Sequence, residues 1–378
     1  MLEIKTVSNK QDLETFIKIP GLLADGDPNW IEPLWFERRQ FLSPSHNPFF
    51  KHADTAFWIA TKNNKPVGRI SAQIDHLCKA HKNQKIGFFG LIDAREKDVL
   101  TALLNKAEEW LAKRGVTHIR GPFSMSVNET AGLLVDGFNT PPYIMMDHHD
   151  PWLGPALEGN HYRKAKDLFA YRVSMVEGLR NKYRSIAERP FEGLEIRSLN
   201  MKNYKNEITT ITSIFNDAWA DNWGFIPLTE AEIDQMASEL KPILDKDLVK
   251  IAEIDGEPVS FIVLLPNINE AIADLQGKLF PVGWLKLLWR LKVSGLRSGR
   301  VPLMGVKREI SKTLIGKSLP LKLIYAIEKR TMERKIWEVE MSWILEDNEQ
   351  VRGVIEAIGG EAYKTYRVYE KALNDGAS

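Results

Sequence analysis

The stretch from Asp347 to Lys371, DNEQVRGVIEAIGGEAYKTYRVYEK, decides the fold because the chain carries it twice. Its partner, Asp150 to Val173, reads DPWLGPALEGNHYRKAKDLFAYRV. Both run from an acidic cap through apolar residues at helical spacing to glycine. Both then enter a tyrosine-bearing strand that carries Tyr-Arg-Val. Two more echoes occur in the same order. LEIKTVSN at Leu2 returns as LEIRSLN at Leu194, an offset of 194 − 2 = 192. FWIATKNNKPVGRISAQI from Phe57 returns as VKIAEIDGEPVSFIVLLP from Val249, and its Pro-Val pairs differ by 258 − 66 = 192. The Tyr-Arg-Val tracts differ by 366 − 171 = 195. Ordered echoes at a nearly constant offset indicate a duplicated domain. The expected division is 1–175, a linker at 176–193, and 194–378 with an insertion at about 268–300.

Each copy has the same expected order of elements. A strand (Leu194–Leu199) and a helix (Tyr204–Trp219) precede a hairpin, which turns at Asn63-Asn64 in one copy and Asp255-Gly256 in the other. The second copy continues with a strand over Val301–Ile310, a helix from about Pro320 to Arg334, a strand over Ile336–Leu345, a helix from Asn348 and a strand over Ala362–Lys371. The first supplies strand Ile86–Ile92, helix Lys97–Arg114, strand Thr117–Phe123, helix Pro151–Leu157 and strand Lys166–Val173. This order predicts an α/β fold with a mixed sheet and helices on both faces.

The chain has 378 residues, enough for two cores, with 51 Lys+Arg against 50 Asp+Glu. A net charge of +1 provides no global attraction for nucleic acid, and none is expected as a partner. The single cysteine, Cys78, excludes an internal disulfide and a cysteine metal site. His148 and His149 in MMDHHDP are the densest titratable pair, but adjacent side chains point apart, and no metal is expected. MLEIKTVSNK shows no apolar stretch behind a basic start, and no run of about 18 apolar residues occurs, so the expected address is cytoplasmic.

The order of elements, the Gly-bearing turn between strand and helix, and the Asn before the next helix together resemble the GNAT acyltransferase fold, once in each half. GFFG (Gly87–Gly90), RGPFSMSVNETAGLLVDGF (Arg120–Phe138), NDAWADNWGFIPLT (Asn216–Thr229) and SWILEDN (Ser342–Asn348) further resemble a bacterial tandem-GNAT family that includes bacterial ceramide synthase. The resemblance implies an acyl-CoA-dependent N-acyltransferase acting on an amine, with a sphingoid-like long-chain base as one acceptor. It also implies a place for the coenzyme A diphosphate, on amides entering a helix. In the second copy that place is VKREISKTLIGKSLPLKL, Val306 to Leu323. The family's Arg/Gln-x-x-Gly-x-Gly/Ala pattern falls on Thr313, Gly316 and Ser318, of which only Gly316 fits strictly. Val306, Lys307, Lys317 and Asn348 complete the cofactor candidates. Asn348 serves equally as an ordinary helix cap. The first copy has GLIDAREKDVL there, with carboxylates and no turn glycine, and is expected to lack coenzyme A.

For the chemistry, Glu338 and Glu340 lie two apart on one strand and share a face, with Glu340 as the candidate base. The family's tyrosine acid is missing from NEQVRGVIEAIGG. Tyr363, Tyr366 and Tyr369 on the last strand are substitutes, with Tyr366 carried forward, although such rows are also ordinary cross-strand packing. Trp219, Trp223 and Phe225 are expected to wall the acceptor or acyl channel, with Asn216 and Asn222 orienting a polar head. The alternative is a tryptophan-anchored loop that closes the core. Finally, GKLFPVGWLKLLWRLKVSGLRSGR (Gly277–Arg300) interleaves Trp and Leu with Lys286, Arg290 and Lys292. It suits the interface of an anionic membrane, as a peripheral contact on its inner face through 284–300, and also suits a helix packed on protein with lysines at the rim. Two other readings stand: an aminoacyl-tRNA-dependent transferase, and a non-catalytic lipid- or protein-binding module.

Overall fold

The computed structural model describes residues 1–78, 84–176, 178–179 and 181–373. Positions 177 and 180 of the expected linker, and 374–378, lie outside them. The chain packs as two compact units, neither a continuous block. One is Met1–Leu168 with Ile272–Trp284 and Lys364–Ser378; the other is Phe169–Ala271 with Leu285–Tyr363.

The first stretch of chain forms β1 (Leu2–Thr6), α1 (Lys10–Leu23), α2 (Trp35–Phe41), β2 (Ala53–Lys62), β3 (Lys65–Asp75), β4 (Ile86–Ala94), α3 (Lys97–Ala112), β5 (His118–Gly121), β6 (Leu133–Asp136), α4 (Leu153–Gly159) and β7 (Arg163–Ser174). Next come α5 (Asn181–Glu188), β8 (Leu194–Ser198), α6 (Tyr204–Trp219), α7 (Glu230–Leu240), β9 (Val249–Ile254), β10 (Glu257–Pro266), α8 (Ile268–Ile272), α9 (Gly283–Trp289), β11 (Ser298–Val306), α10 (Arg308–Ser311), α11 (Leu314–Arg334), β12 (Glu338–Leu345), α12 (Glu349–Ala357) and β13 (Glu361–Ala372).

Both hairpins turn where expected. Asn63 and Asn64 hold φ of 53° and 61°, and Asp255 and Gly256 hold 52° and 83°. Two consecutive positive φ values match the twist of the flanking strands, and Asn, Asp and Gly tolerate them best.

In the first unit the sheet order is β1-β2-β3-β4-β5-β13, with β6 also on β13. The pair β4/β5 is parallel and its neighbours are antiparallel. Helix α3 buries Val99, Leu100, Leu103, Leu104, Ala107 and Leu111, a stripe at three- and four-residue spacing, against one face of the sheet. Helix α1 packs Phe16, Ile17 and Ile19 into a second apolar cluster with Ile59 and Leu91. The sequence reading keeps Ala362–Lys371 in the second copy. Instead, Tyr369–Ala372 pair with Gly121–His118 of β5, so the first unit takes its closing strand from the end of the chain.

The second unit has the order β7-β12-β11-β10-β9-β8, with β11/β12 parallel. Helix α6 packs Ile211, Ile214 and Phe215 on one face, and α11 packs Leu319, Leu323, Ile324 and Ile327 on the other. Part of the expected linker is helix α5, anchored on α11 by Arg184 to Glu328 at 2.9 Å and by Lys322 donating to the Ala187 carbonyl at 2.9 Å. Helix α11 begins six residues before Pro320. Thr313 caps it, accepting from the Gly316 amide at 3.1 Å, and Pro320 lies inside. Among the described residues, no helix is long and apolar enough to cross a membrane.

Candidate active site

The second unit's parallel pair is short. Ser298–Val301 pair with Glu338–Met341, whereas β11 runs on to Val306 and β12 to Leu345. Two parallel strands that stop pairing while both continue form a fork, and a fork leaves backbone groups for an extended ligand. Helix α6 covers the β11 arm: a Cβ on Gly305 would lie 3.2 Å from the Ala218 Cβ. Among the described residues, three buried polar atoms of this unit have no hydrogen-bond partner: Trp343 Nε1 on the β12 arm, Asn216 Oδ1 on α6, and Glu328 Oε2 on α11, away from the fork. Buried orphans are uncommon and costly, about 1–3 kcal/mol each.

Glu340 lies at the base of the fork and is wholly buried. The Ser342 hydroxyl donates to its Oε1 at 2.6 Å, and the Tyr363 hydroxyl donates to its Oε2. Arg300, also fully buried, stands 3.5 Å from Oε1 and donates through Nε to the Ser342 hydroxyl at 2.8 Å. Its guanidinium lies 4.7 Å from the Trp343 ring centroid. A buried carboxylate is tolerated when a cation and donors surround it, and this one has both oxygens engaged. Glu338 shares the strand but is half-buried, 3.5 Å from Arg172. Tyr366, the tyrosine carried forward as the acid, belongs to the first unit, where it is buried and donates to the Asp147 carbonyl at 3.1 Å. The tyrosine that meets Glu340 is Tyr363, which is half-buried.

The turn after β11 differs from a glycine nest. Gly316 is buried, its amide serves the Thr313 cap, and a Cβ there would meet the Ile310 carbonyl oxygen at 1.9 Å. The glycine is required by the chain's own close approach. The Arg308 amide donates to Asp217 at 2.7 Å, and the Arg308 side chain pairs with Asp217 and Asp221 at 3.3 and 3.0 Å. These carboxylates hold the Arg308 pKa above its ordinary value. Val306 ends β11 and Lys307 caps α10. Lys312 and Lys317 are exposed beside this turn, and the Ser318 hydroxyl donates to the Ile315 carbonyl at 2.8 Å. Asn348 accepts from the Val351 amide at 3.2 Å as the cap of α12.

The tryptophan loop follows α6. Trp219 stacks on Phe215 with centroids 4.8 Å apart, and its indole donates to the Met304 carbonyl of β11 at 3.4 Å. Phe225 meets Phe215 edge-on at 5.6 Å, so both aromatic residues close the core on that face. Asn222 accepts from the Phe225 amide at 3.2 Å, and Trp223 is half-buried. A cavity of about 320 Å³ in this unit is lined elsewhere, by Leu291, Leu296, Arg330 and Arg334. Its arginines are already partnered by Asp245, Arg330 at 2.7 Å and Arg334 at 3.4 Å.

In the first unit the corresponding turn is filled by ion pairs. Asp93 binds Arg69 at 2.6 Å, Lys62 binds Glu96 at 2.8 Å, and Arg95 binds Asp25. There Gly90 packs against the Phe123 backbone, where a Cβ would lie 1.7 Å from its carbonyl oxygen. No group of His, Cys, Asp and Glu that could hold a metal occurs among the described residues.

No family model matches the chain. It is 46% identical over 379 residues to the bacterial ceramide synthase of Caulobacter vibrioides, covering 98% of each. It is 45% identical over 372 residues to protein YghO of Escherichia coli, covering 98% of this chain and 95% of that one. Among solved structures it resembles a tandem GNAT protein from the clavulanic acid biosynthesis pathway, with a TM-score of 0.56 at 12% identity over 99% of both chains. A GCN5-related N-acetyltransferase from Sphaerobacter thermophilus gives 0.53 at 12% identity, over 98% and 96%. Duplicated strand order, a parallel strand pair in each unit and near full-length identity agree: the chain belongs to the bacterial tandem-GNAT acyltransferase family that includes bacterial ceramide synthase.

Proposed function

We propose that this N-acyltransferase takes its acyl group from acyl-CoA and gives it to a long-chain, sphingoid-like amine, forming a ceramide-type amide. The observation that carries the reading is the β11/β12 fork with an orphaned indole N–H on one arm and an orphaned amide oxygen on the helix over the other. An extended chain with its own amides, such as the pantetheine arm of coenzyme A, supplies partners for both atoms. The identity to a protein called bacterial ceramide synthase supports the amine class.

In this reading the diphosphate lies near the start of α11 and is held chiefly by Lys307, Lys312 and Lys317, since the Gly316 amide is engaged by Thr313. Glu340 and Arg300 set the shape of the fork's base. The half-buried Tyr363 hydroxyl, oriented by Glu340, is the proton donor to the leaving thiolate, in preference to Tyr366. Asn348 holds α12 in place as its cap. Trp223 and Asn222 border the acceptor, with Trp219 and Phe225 as the wall behind them. A peripheral membrane contact through 284–300 delivers the lipophilic amine, supported by the exposure of Leu285, Leu288, Trp289 and Val293 between cationic residues.

The test is amide formation from acyl-CoA and sphinganine, followed by mass spectrometry. The double variant Lys312→Glu/Lys317→Glu is expected to raise the KM for acyl-CoA about tenfold or more, as lost charge-assisted contacts predict. If the purified protein neither binds coenzyme A in a calorimeter nor forms amide, this reading fails. Charged tRNA as the productive donor would replace it by the aminoacyl-transfer alternative.

A further inference from the structure

The cavity of about 320 Å³ in the second unit has no role in the acyl-transfer reading. It is lined by Pro266, which ends β10, by Arg334, which ends α11, and by Leu296 and Ile336, which precede β11 and β12. The fork opens at the other ends of those two strands, toward Val306 and Leu345, so the cavity lies at the opposite end of the sheet. Its volume is at the lower end of pockets that hold small ligands, about 300–1,000 Å³.

Its wall combines two chemistries. Leu244, Leu291, Leu296 and Ile336 are apolar, whereas Lys246, Lys292, Arg330 and Arg334 stand against Asp245 and Asp247. Four cations and two carboxylates leave an excess of 4 − 2 = 2 positive charges. A single oxygen, Asp245 Oδ2, serves both guanidiniums, Arg330 at 2.7 Å and Arg334 at 3.4 Å. Asp247 lies 3.9 Å from the Lys246 ammonium and already accepts from the Ser198 hydroxyl at 2.8 Å. The rim belongs to the segment read as the membrane contact. Arg290–Ser294 form one wide helical turn, which Gly295 ends at a φ of 72° before the chain enters β11. Leu291 and Lys292 of that turn line the cavity, while Leu288, Trp289 and Val293 beside them are exposed. Lipid against those exposed side chains brings the cavity mouth to the depth of the headgroups.

We propose that this cavity binds the phosphodiester headgroup of an anionic glycerophospholipid, whose acyl chains stay in the bilayer. The inference rests on the peripheral membrane contact proposed above and gives that contact a specific partner. Guanidinium and ammonium groups together suit phosphate oxygens, through charge-assisted hydrogen bonds. The two uncompensated charges favour an anion and disfavour a zwitterionic headgroup, whose own ammonium would meet Lys246 and Lys292. The apolar wall receives the glycerol and the first carbons of the chains. Diffuse attraction to a negative surface needs only the exposed segment. A headgroup site also needs Lys246, Arg330 and Arg334, which lie on other elements of the unit.

The experiment compares cosedimentation of wild type and Lys246→Glu/Arg334→Gln with phosphatidylcholine vesicles made equally negative by phosphatidylglycerol or by oleate. Wild type is expected to bind the phosphatidylglycerol vesicles about tenfold or more tightly, and the variant to lose that preference while keeping the weaker binding common to both. Calorimetric titration with dihexanoyl-phosphatidylglycerol below its micelle concentration, and with inorganic phosphate, separates a lipid from a soluble anion. Saturable binding of the short-chain lipid, weakened about tenfold or more in the variant, supports the proposal. Equal binding of inorganic phosphate, or binding of neither, overturns it. If wild type binds both kinds of vesicle alike and the variant matches it, the headgroup site falls while the membrane contact stands. If wild type binds neither kind, both fall. Should the double variant fail to fold, the exposed Lys246→Glu alone decides: a preference reduced severalfold supports the site, and an unchanged preference overturns it.

Discussion

At Gly316 two effects of opposite sign compete in one substitution. Alanine in a helix is ordinarily worth up to about 1 kcal/mol over glycine. Here its Cβ would enter the Ile310 carbonyl, a backbone atom that moves only with the turn. Overpacking of this kind costs about 1–3 kcal/mol, so Gly316→Ala should lower the urea midpoint at unchanged slope. A raised midpoint would show that the turn yields freely. The sequence singled out this glycine through a resemblance to a phosphate turn, and its local pattern holds nothing about Ile310 folding back onto it. Glu340 shows the same limit. Its face on β12 follows from two-residue alternation, but its burial depends on Arg300, forty positions earlier, and on Tyr363 from the next strand. The capping role of Asn348 was readable, since a cap is set by neighbours within three residues.

Among the elements, α6 has the bounds its apolar spacing predicts, Tyr204–Trp219. Helix α11 starts earlier than proline suggests, because Thr313 supplies a cap and Pro320 removes only one ladder donor. Helix α7 carries a legible signal that the reading passed over. Thr229 and Glu232 form a capping box, with both reciprocal hydrogen bonds present. Segment 280–293 is where the sequence left two choices. Its Phe280, Trp289 and Val293 are 69%, 58% and 70% exposed. Arg290 is held by the Ala271 carbonyl at 2.7 Å, and the exposed Lys292 is the sharper probe, tested together with Lys286. Wild type should cosediment with vesicles containing anionic lipid, and Lys286→Glu/Lys292→Glu should weaken this severalfold, at about 1 kcal/mol per cation near the surface. Equal cosedimentation of the two proteins would remove the membrane from the account.

For the whole molecule, the consequential feature is the closing strand of the first unit. Tyr369–Ala372 complete its sheet on β5, and Tyr366 and Arg367 pair with Leu134 and Leu133 of β6. A chain ending at Tyr363 would leave β5 with an open edge and expose the Tyr369 site in the α3 core. Amides of β5 should then exchange with solvent at least tenfold faster in hydrogen-exchange mass spectrometry, and the shortened protein should aggregate at its open edge. Unchanged β5 protection would mean that the unit is complete without its last strand.

The sequence by itself determined the duplication, the order and period of the elements, both hairpin turns and the family. Each of these is written in local spacing or in repeated text. Only the tertiary structure decided which unit owns the last strand, that the Gly316 turn is packed against itself, and that Arg330 and Arg334 share Asp245. Those outcomes depend on partners dozens to hundreds of residues apart. Pairing over such distances leaves no periodic trace in the chain, because it is selected by burial and charge compensation after the elements have formed.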